Sequence, residues 1–250
     1  MDHDASQPKL PQHLAIIMDG NGRWAEKHQL PRIEGHRKGT EVSEEMIDAC
    51  LARGIPYLTL YAFSEENWKR PEQEVRELMQ LLQWYILSKQ QKMLKSGIRF
   101  RTIGDISQLP TGVQECIAET TELTKYNNKL TLILALSYGS QQEIVRAVEK
   151  MIHKGFAVTA ENIARMLDTA DFPNPDLLIR TSGEYRMSNF LLWQLAYTEL
   201  YFTNTHWPDF TGADLDLALA EFTKRERRFG LTSEQLKQKE KTCGSSVVSS

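Results

Sequence analysis

The sequence predicts a single α/β domain with a central parallel sheet of about six strands flanked by helices. Short apolar runs alternate with longer amphipathic stretches along most of the chain, which is the pattern of repeated β-α units. The length of 250 residues and the hydrophobic content of 41% suit one large domain of this class. Three of the apolar runs are followed by polar, arginine-bearing segments, and a parallel sheet brings such segments to one edge.

Composition limits the function and the location of the chain. The net charge is −3, which gives no indication of a nucleic-acid partner. The three cysteines, Cys50, Cys116 and Cys243, are scattered in the manner of a protein from a reducing cytoplasm. No apolar run approaches the ~18 residues of a membrane span. We expect a folded domain over 13–231, a flexible leader over 1–12 and a disordered tail over 232–250.

The stretch from His13 to Trp24 combines a strand with a polar turn. Its apolar run, Leu14 to Met18, is typical of a buried parallel strand, and Asp19 follows directly. Asn21 is a candidate N-cap for a helix that begins at Gly22. A carboxylate, an arginine and a helix N-terminus suit a metal-bound phosphate ester. Asp-Gly-Asn-Gly is equally good chemistry for a turn that binds nothing.

Two common motifs are excluded for this turn. An EF-hand loop requires an oxygen ligand at the position that Arg23 occupies, and the chain contains no P-loop string. The segment that follows, Leu30 to Gly39, carries four basic side chains. We expect a loop here that is either a solvated basic surface or an anion site near Asp19, followed by a helix from about Gly35 to Arg53.

The second strand, Ile55 to Phe63, also ends in a polar cluster, Ser64 to Pro71. A long helix is predicted over Pro71 to Lys95, and it is apolar on two faces. Such a helix is either deeply buried or offers one face to an apolar ligand or a partner subunit.

The rest of the chain continues the β-α pattern. A short strand near Asp176 to Ile179 is followed by a third polar loop. In this loop Arg180, Arg186 and Ser188 could bind a diphosphate or lie at the surface. The segment Phe190 to Ala196 fits either a helix or a strand. The other elements are predicted as strands at 98–103, 130–138 and 199–202 and helices at 111–125, 139–155, 159–167 and 212–228, the last capped by Gly230.

Several long motifs resemble the cis-prenyltransferase family, and the bacterial undecaprenyl diphosphate synthases in particular. The resemblance covers about residues 13 to 230 and is carried by HLAIIMDGNGRWA, GHRKG, LTLYAFSEENWKRP, RTSGEYRMSNFLLWQLAYTELYF, WPDF and RERRFG. It implies an enzyme that condenses isopentenyl diphosphate onto an allylic diphosphate, usually farnesyl diphosphate, with Mg²⁺ as cofactor. It also implies a homodimer, an apolar tunnel for the product, and a product of about eleven isoprene units that serves as a cell-wall lipid carrier. Contact with the inner face of the membrane would be peripheral.

The resemblance also implies roles for individual residues. Asp19 would hold Mg²⁺ and act in catalysis, Asn67 would relay the proton lost from isopentenyl diphosphate, and Glu199 would be a second metal ligand. Arg228-Phe-Gly230 matches an R-x-G element that reaches a diphosphate across the dimer. The remaining substrate-binding residues would be Gly20, Asn21, Gly22, Arg23, Trp24, Arg32, His36, Ser64, Glu65, Glu66, Trp68, Arg70, Arg180, Arg186, Met187 and Ser188.

Two positions depart from the usual family pattern, and alternative functions stay open. Ser137 and Ser182 stand where Asn and Gly are common. A non-catalytic scaffold subunit is expected to lack Asp19 and Arg23, which are both present. A phosphohydrolase with Asp19 as nucleophile would release orthophosphate without chain growth. A trans-type synthase is disfavoured because the chain has no DDxxD string.

Overall fold

The computed structural model describes residues 10–225. Most of the expected leader, the whole expected tail and the Arg228-Phe-Gly230 element lie outside this range. Within it, no helix is both long enough and apolar enough to cross a bilayer.

The predicted sheet is confirmed, and all of its strand pairs are parallel. The strands are β1 (His13–Ile17), β2 (Tyr57–Ser64), β3 (Ile98–Ile103), β4 (Leu130–Tyr138), β5 (Leu177–Arg180) and β6 (Glu199–Phe202). Their order in the sheet is β3-β4-β2-β1-β5-β6. Strands β1, β2 and β5, which precede the three polar segments, are therefore neighbours at the centre.

Residues 10–225 contain seven α-helices, of which six lie between strands and the last follows β6. Short 3₁₀ turns occupy Glu65–Lys69 and Gln194–Tyr197, so the segment that fitted either a helix or a strand ends in a 3₁₀ turn. The α-helices are α1 (Asn21–Lys27), α2 (Arg32–Ala52), α3 (Glu72–Ser96), α4 (Thr111–Leu123), α5 (Ser140–His153), α6 (Ala160–Met166) and α7 (Gly212–Thr223).

Each face of the sheet carries an apolar core. The larger core packs α2, α3, α4 and α7 against one face. The smaller core covers the opposite face with side chains such as Phe190 and Leu191. All nine residues of β4 are buried, as expected for a central parallel strand with helices on both sides.

The loop predicted over Leu30 to Gly39 is wrong, because α2 already begins at Arg32. Gly35 and Gly39 are packing residues there and do not interrupt the helix. A Cβ at Gly35 would strike the carbonyl oxygen of Asn21, so the missing side chain is what lets α1 and α2 approach closely.

Two predicted helix ends are also corrected. The N-cap of α1 is Gly20, in a left-handed conformation, and Asn21 is the first helical residue. Helix α7 ends at Thr223, several residues before the predicted end at Arg228. The predicted cap at Gly230 lies outside the described residues.

Candidate active site

The carboxyl ends of β1, β2 and β5 open onto a cavity of about 730 Å³. Because these strands are adjacent, the polar segments that follow them converge at its mouth, as the sequence predicted. The predicted site residues that line the cavity are Asp19, Gly20, Asn21, Gly22, Arg23, Arg32, His36, Ser64, Glu66, Asn67, Arg70, Arg180, Arg186 and Ser188.

Asp19 lies at the centre of the mouth and is held by two arginines. Its Oδ2 accepts a hydrogen bond from Arg180 Nη2 at 3.0 Å, and its Oδ1 is 3.1 Å from Arg23 Nη2. Arg180 is 3% exposed, and its other branch donates to Ser188 Oγ at 2.8 Å and to the Arg186 carbonyl. A buried guanidinium thus joins the ends of β1 and β5 and presents its charge to the cavity.

Asp19 is ionised at neutral pH. Burial by itself would raise the pKa of this carboxyl, but the hydrogen bond from Arg180 and the charge of Arg23 outweigh it and lower the pKa below its usual value. The site therefore offers a fixed carboxylate beside two guanidinium groups.

Gly20 is required for the turn that carries Asp19. Its φ is +104°, which a residue with a side chain rarely adopts. An added Cβ would also collide with Ser182 Oγ and approach His206 Nδ1 to 2.8 Å. Ser182 and His206 are themselves joined by a hydrogen bond of 2.5 Å, so the turn rests on a fixed polar contact.

The mouth has an excess of positive charge, which suits a diphosphate. Part of this charge is already paired, since Glu74 is 3.1 Å from Arg70 and 3.4 Å from Arg32. The arginines that line the cavity are Arg23, Arg32, Arg70, Arg180 and Arg186, whereas the acidic residues that line it are Asp19 and Glu66.

His36 adds a neutral polar group to the mouth. Burial lowers its pKa to about 4, and the charges of Arg70 and Arg32 contribute in the same direction. Its buried Nε2 has no hydrogen-bond partner within residues 10–225. A ligand oxygen in the cavity would supply that missing partner.

The 3₁₀ turn after β2 forms the opposite wall. The backbone N–H of Ser64 donates to Asn67 Oδ1 at 3.1 Å, so the carbonyl end of the Asn67 side chain is engaged in a capping box. The amide nitrogen of Asn67 is the end left to contact a ligand.

Four of the predicted substrate-binding residues lie away from the cavity. Trp24 donates to Asp209 Oδ1 at 2.7 Å, and Met187 packs on the smaller core. Trp68 Nε1 donates to Ser137 Oγ at 2.9 Å, and that hydroxyl donates to Glu65 Oε2 at 3.1 Å. Trp68 and Glu65 therefore stabilise the 3₁₀ turn and do not contribute to the cavity lining.

Glu199 is not brought to Asp19 within one chain. It is the first residue of β6, in register with Leu177, which pairs with Leu14. Leu14 precedes Asp19 by five residues, so the two carboxylates are ~16 Å apart along the strand direction alone. Glu199 instead accepts from Arg225 at 3.0 Å.

The cavity becomes apolar away from the mouth, between the sheet and helices α2 and α3. Helix α3 uses one apolar face for the core and lines the cavity with Leu78, Leu81, Leu82 and Tyr85. The sequence left deep burial, an apolar ligand or a partner subunit as uses for the second apolar face of α3. Contact with an apolar ligand fits these lining residues best. Trp84 remains exposed.

Sequence reasoning missed Tyr61 and Asn189, which both line the cavity. The Tyr61 hydroxyl is within hydrogen-bonding distance of the Tyr138 carbonyl, at 3.0 Å, and of the Ser188 carbonyl, at 3.3 Å. Asn189 donates to Glu66 Oε1 at 3.0 Å and so links the second and third polar segments. Asn189 could have been predicted as a site residue, because it directly follows the predicted site residue Ser188 in the sequence.

The chain matches one protein family over most of its length. The family model described as putative undecaprenyl diphosphate synthase matches residues 17–230. The isoprenyl transferase of Nitrosomonas europaea is 52% identical over 231 residues, which cover 91% of this chain and 88% of the relative. That of Aquifex aeolicus is 48% identical over 223 residues, covering 89% and 96%.

Solved structures agree with these matches. Lavandulyl diphosphate synthase from Lavandula x intermedia, solved in complex with dimethylallyl diphosphate, superposes with a TM-score of 0.85 at 38% identity, covering 88% of this chain and 98% of that one. A probable undecaprenyl diphosphate synthase from Campylobacter jejuni superposes with a TM-score of 0.76 at 36% identity, covering 90% and 100%. The protein is therefore a member of the cis-prenyltransferase family and a prenyl-transferring enzyme.

Proposed function

We propose that this enzyme adds isopentenyl diphosphate units to an allylic diphosphate primer, farnesyl diphosphate in the first instance, with Mg²⁺ as cofactor. The product would be a long cis-polyprenyl diphosphate of about eleven units, used as a cell-wall lipid carrier. One observation carries this proposal: a single cavity has an arginine-rich mouth and an apolar interior. Such a cavity can hold two diphosphates and the hydrocarbon that grows between them.

The allylic diphosphate would bind over Gly20, Asn21 and Gly22, where backbone can approach it closely. Arg23 and Arg32 would hold its charge, and His36 would supply a neutral hydrogen bond. Cleavage of the allylic C–O bond places negative charge on the leaving diphosphate. Fixed guanidinium groups in a partly dry site stabilise that charge without reorganising.

Isopentenyl diphosphate would bind between Arg180, Arg186 and Ser188. Arg180 is buried and held on several sides, so its guanidinium is positioned before the substrate arrives. This arrangement places the second substrate beside the first, across Asp19. Proximity of the two reacting carbons is worth several kcal/mol of the barrier.

Asp19 fits the requirements of a magnesium ligand. Mg²⁺ is usually bound by one or two carboxylates together with substrate phosphate oxygens and water, and Asn21 Oδ1 is a further buried oxygen without a described partner. Within residues 10–225 no three His, Cys, Asp or Glu side chains cluster as a metal site, so substrate oxygens would complete the shell. When bound, the metal would neutralise charge on the leaving diphosphate. Glu199 could join it only from a second copy of the chain.

Asn67 would orient the proton that isopentenyl diphosphate loses when the new double bond forms. Its amide is a poor base, and its carbonyl oxygen already accepts from Ser64. The acceptor would therefore be the departing diphosphate or the Asp19 carboxylate, and the Asn67 amide nitrogen would orient that acceptor by donating a hydrogen bond to it. We propose the homodimer, a cytoplasmic location and peripheral membrane contact on family resemblance and on the hydrocarbon nature of the product.

The phosphohydrolase alternative requires Asp19 as a nucleophile. Both carboxylate oxygens of Asp19 receive contacts from arginines, which lowers their nucleophilicity and disfavours that function.

The proposal is tested by chain growth. Purified enzyme is mixed with farnesyl diphosphate, labelled isopentenyl diphosphate and Mg²⁺, and the products are separated by length. We expect a ladder with five-carbon steps that is lost with EDTA and in Asp19→Asn, and retained in the matched control Asp216→Asn, which alters an exposed carboxylate paired with Arg53. Orthophosphate release without a ladder would support the hydrolase instead.

A further inference from the structure

The backbone of residues 188–191 is strained at the proposed site for isopentenyl diphosphate. Ser188, Asn189 and Leu191 have φ values of +46°, +59° and +48°, which residues other than glycine rarely adopt. Such a backbone persists only where the surrounding structure holds it, and it is concentrated at ligand sites. Ser188, a proposed ligand of the second diphosphate, therefore depends on neighbouring contacts for its position.

The N-terminus of α5 holds the later part of this segment. The Asn189 carbonyl accepts a hydrogen bond from the Ser140 N–H at 2.7 Å, and Asn189 Oδ1 accepts one from the Gln141 N–H at 2.9 Å. The Ser140 hydroxyl accepts a further hydrogen bond from the Leu192 N–H at 2.9 Å. None of these three contacts involves Ser188 itself.

Tyr61 on β2 provides a contact for Ser188. Its hydroxyl lies 3.3 Å from the Ser188 carbonyl and 3.0 Å from the Tyr138 carbonyl at the end of β4. Burial raises the pKa of Tyr61, so the hydroxyl keeps its proton and acts as a donor. Because β4 is buried along its whole length, this hydroxyl connects the strained segment to a fixed part of the sheet.

The Tyr61 ring is held independently of its hydroxyl. It stacks on Phe190 with the ring centroids 4.3 Å apart and the ring planes inclined by 13°, and it meets the Tyr138 ring edge-on at 6.1 Å. Phe190 is fully buried. The substitution Tyr61→Phe would therefore keep the packing of the ring and remove only the contacts with the two carbonyls.

We propose that Tyr61 is a positioning residue for isopentenyl diphosphate, because its hydroxyl holds the Ser188 carbonyl and so fixes the Ser188 hydroxyl beside Arg180. This inference rests on the proposed function. Arg180 Nη1 donates to Ser188 Oγ at 2.8 Å, so a displacement of Ser188 also frees one branch of the guanidinium. The allylic diphosphate would bind over a different segment, across Asp19, and its affinity does not depend on Tyr61.

The test compares Tyr61→Phe with Tyr57→Phe as the matched control. Tyr57 lies four residues earlier on the same strand and also packs on the smaller core. Residues 10–225 provide no hydrogen-bond partner for its hydroxyl, whereas its ring contacts His13 and Phe172. For each enzyme kcat and KM are measured with either substrate varied, and binding of labelled isopentenyl diphosphate is measured by equilibrium dialysis with Mg²⁺.

We expect Tyr61→Phe to weaken binding of isopentenyl diphosphate and to raise its KM about fivefold, the effect of one ordinary hydrogen bond, while kcat and the KM for farnesyl diphosphate stay within about twofold. Tyr57→Phe should match the parent enzyme in all of these values. If Tyr61→Phe binds isopentenyl diphosphate as tightly as Tyr57→Phe does, or loses affinity for both substrates equally, the inference is overturned.

A double-mutant cycle tests whether Tyr61 acts through Ser188. In the Ser188→Ala background, Tyr61→Phe should weaken binding of isopentenyl diphosphate by less than about twofold, because the hydroxyl that it positions is already absent. Effects that multiply in full would show that Tyr61 does not act through Ser188 and would overturn the inference while elongation stands. If the parent enzyme incorporates no isopentenyl diphosphate, the proposed function itself fails.

Discussion

Arg180 is the residue on which the geometry of the mouth depends most. From a buried position its guanidinium contacts Asp19, Ser188 and the Arg186 carbonyl together. Lysine has one compact charge and cannot reproduce this fork. We expect Arg180→Lys to lower kcat/KM for isopentenyl diphosphate about 100-fold, or ~3 kcal/mol for the lost charge-assisted hydrogen bonds.

Steady-state kinetics with isopentenyl diphosphate as the varied substrate measure this loss. Arg165→Lys is the control, since Arg165 forms an exposed ion pair with Glu161 on α6 and should tolerate the change. If Arg180→Lys lowers kcat/KM less than threefold, the forked guanidinium of Arg180 is not needed for reaction with isopentenyl diphosphate.

Ser182 shows how a departure from the family pattern is accommodated. Its φ is +79°, a left-handed conformation in which glycine is unstrained, yet its hydroxyl bonds His206 Nδ1. Ser182→Gly relieves the backbone strain but loses the hydrogen bond, so we expect a change within about 1 kcal/mol. Ser182→Ala keeps the strain and loses the bond, and it should be about 1 kcal/mol less stable than Ser182→Gly in urea unfolding. Equal stability of the two variants would contradict this account.

At the scale of elements, the contact between α1 and α2 depends on Gly35. Alanine normally stabilises a helix relative to glycine, by about 1 kcal/mol. At Gly35, however, the new Cβ would strike the Asn21 backbone and displace the turn that carries Asp19. We expect Gly35→Ala to destabilise the fold by about 2 kcal/mol and to reduce activity.

Gly112 on α4 is the matched control for this change. A Cβ there would meet only the mobile end of the Gln83 side chain, at 2.8 Å. Gly112→Ala should leave stability unchanged or raise it by up to about 1 kcal/mol. If the two variants have the same free energy of unfolding, packing at Gly35 is not the limiting contact.

The strands were predictable from their side-chain patterns. β3, β4 and β6 have the predicted bounds. β4 is a continuous apolar run that is buried throughout, whereas β3 was predicted from its alternation of apolar and polar residues. The start of α2 was mispredicted because Gly35 and Gly39 are typical of a loop by composition, whereas their role depends on a neighbouring helix. The end of α7 was placed too late because local pattern does not fix the last turn of a helix.

At the scale of the whole molecule, buried histidines make stability depend on pH. His13 is 2% exposed, and its ring nitrogens contact Pro173 O at 2.6 Å and Thr59 Oγ1 at 2.7 Å. Burial lowers its pKa to about 4, against 6.5 for a free histidine. Because the folded state resists protonation, its stabilising effect is full above pH 6.5 and declines as the pH falls toward 4.

This linkage gives a loss of about 2 kcal/mol from His13 between pH 7 and pH 5. Urea unfolding at these two pH values measures it. His13→Gln should be less stable at pH 7 but should lose about 2 kcal/mol less between the two values. An equal pH dependence in both proteins would show that His13 is not the responsible group.

The candidate site was predictable only as far as chain order and sheet topology could determine it. Three polar segments at three strand ends had to converge once their strands proved adjacent. Trp24 and Met187 lie next to cavity residues in sequence, but Trp24 contacts Asp209 and Met187 packs on the smaller core, which the sequence does not reveal. Glu199 lies at the start of β6, at the edge of the sheet opposite to the cavity, and the sequence motif that contains it does not reveal this position.

We propose that one cavity couples loss of the allylic diphosphate to growth of a hydrocarbon chain. The most direct measurement is stoichiometry: released diphosphate and incorporated isopentenyl units are counted in the same reaction with farnesyl diphosphate and Mg²⁺. We predict one diphosphate released for each unit incorporated, with both falling together in Asp19→Asn and Arg180→Lys. Release of diphosphate or orthophosphate without incorporation would contradict the account.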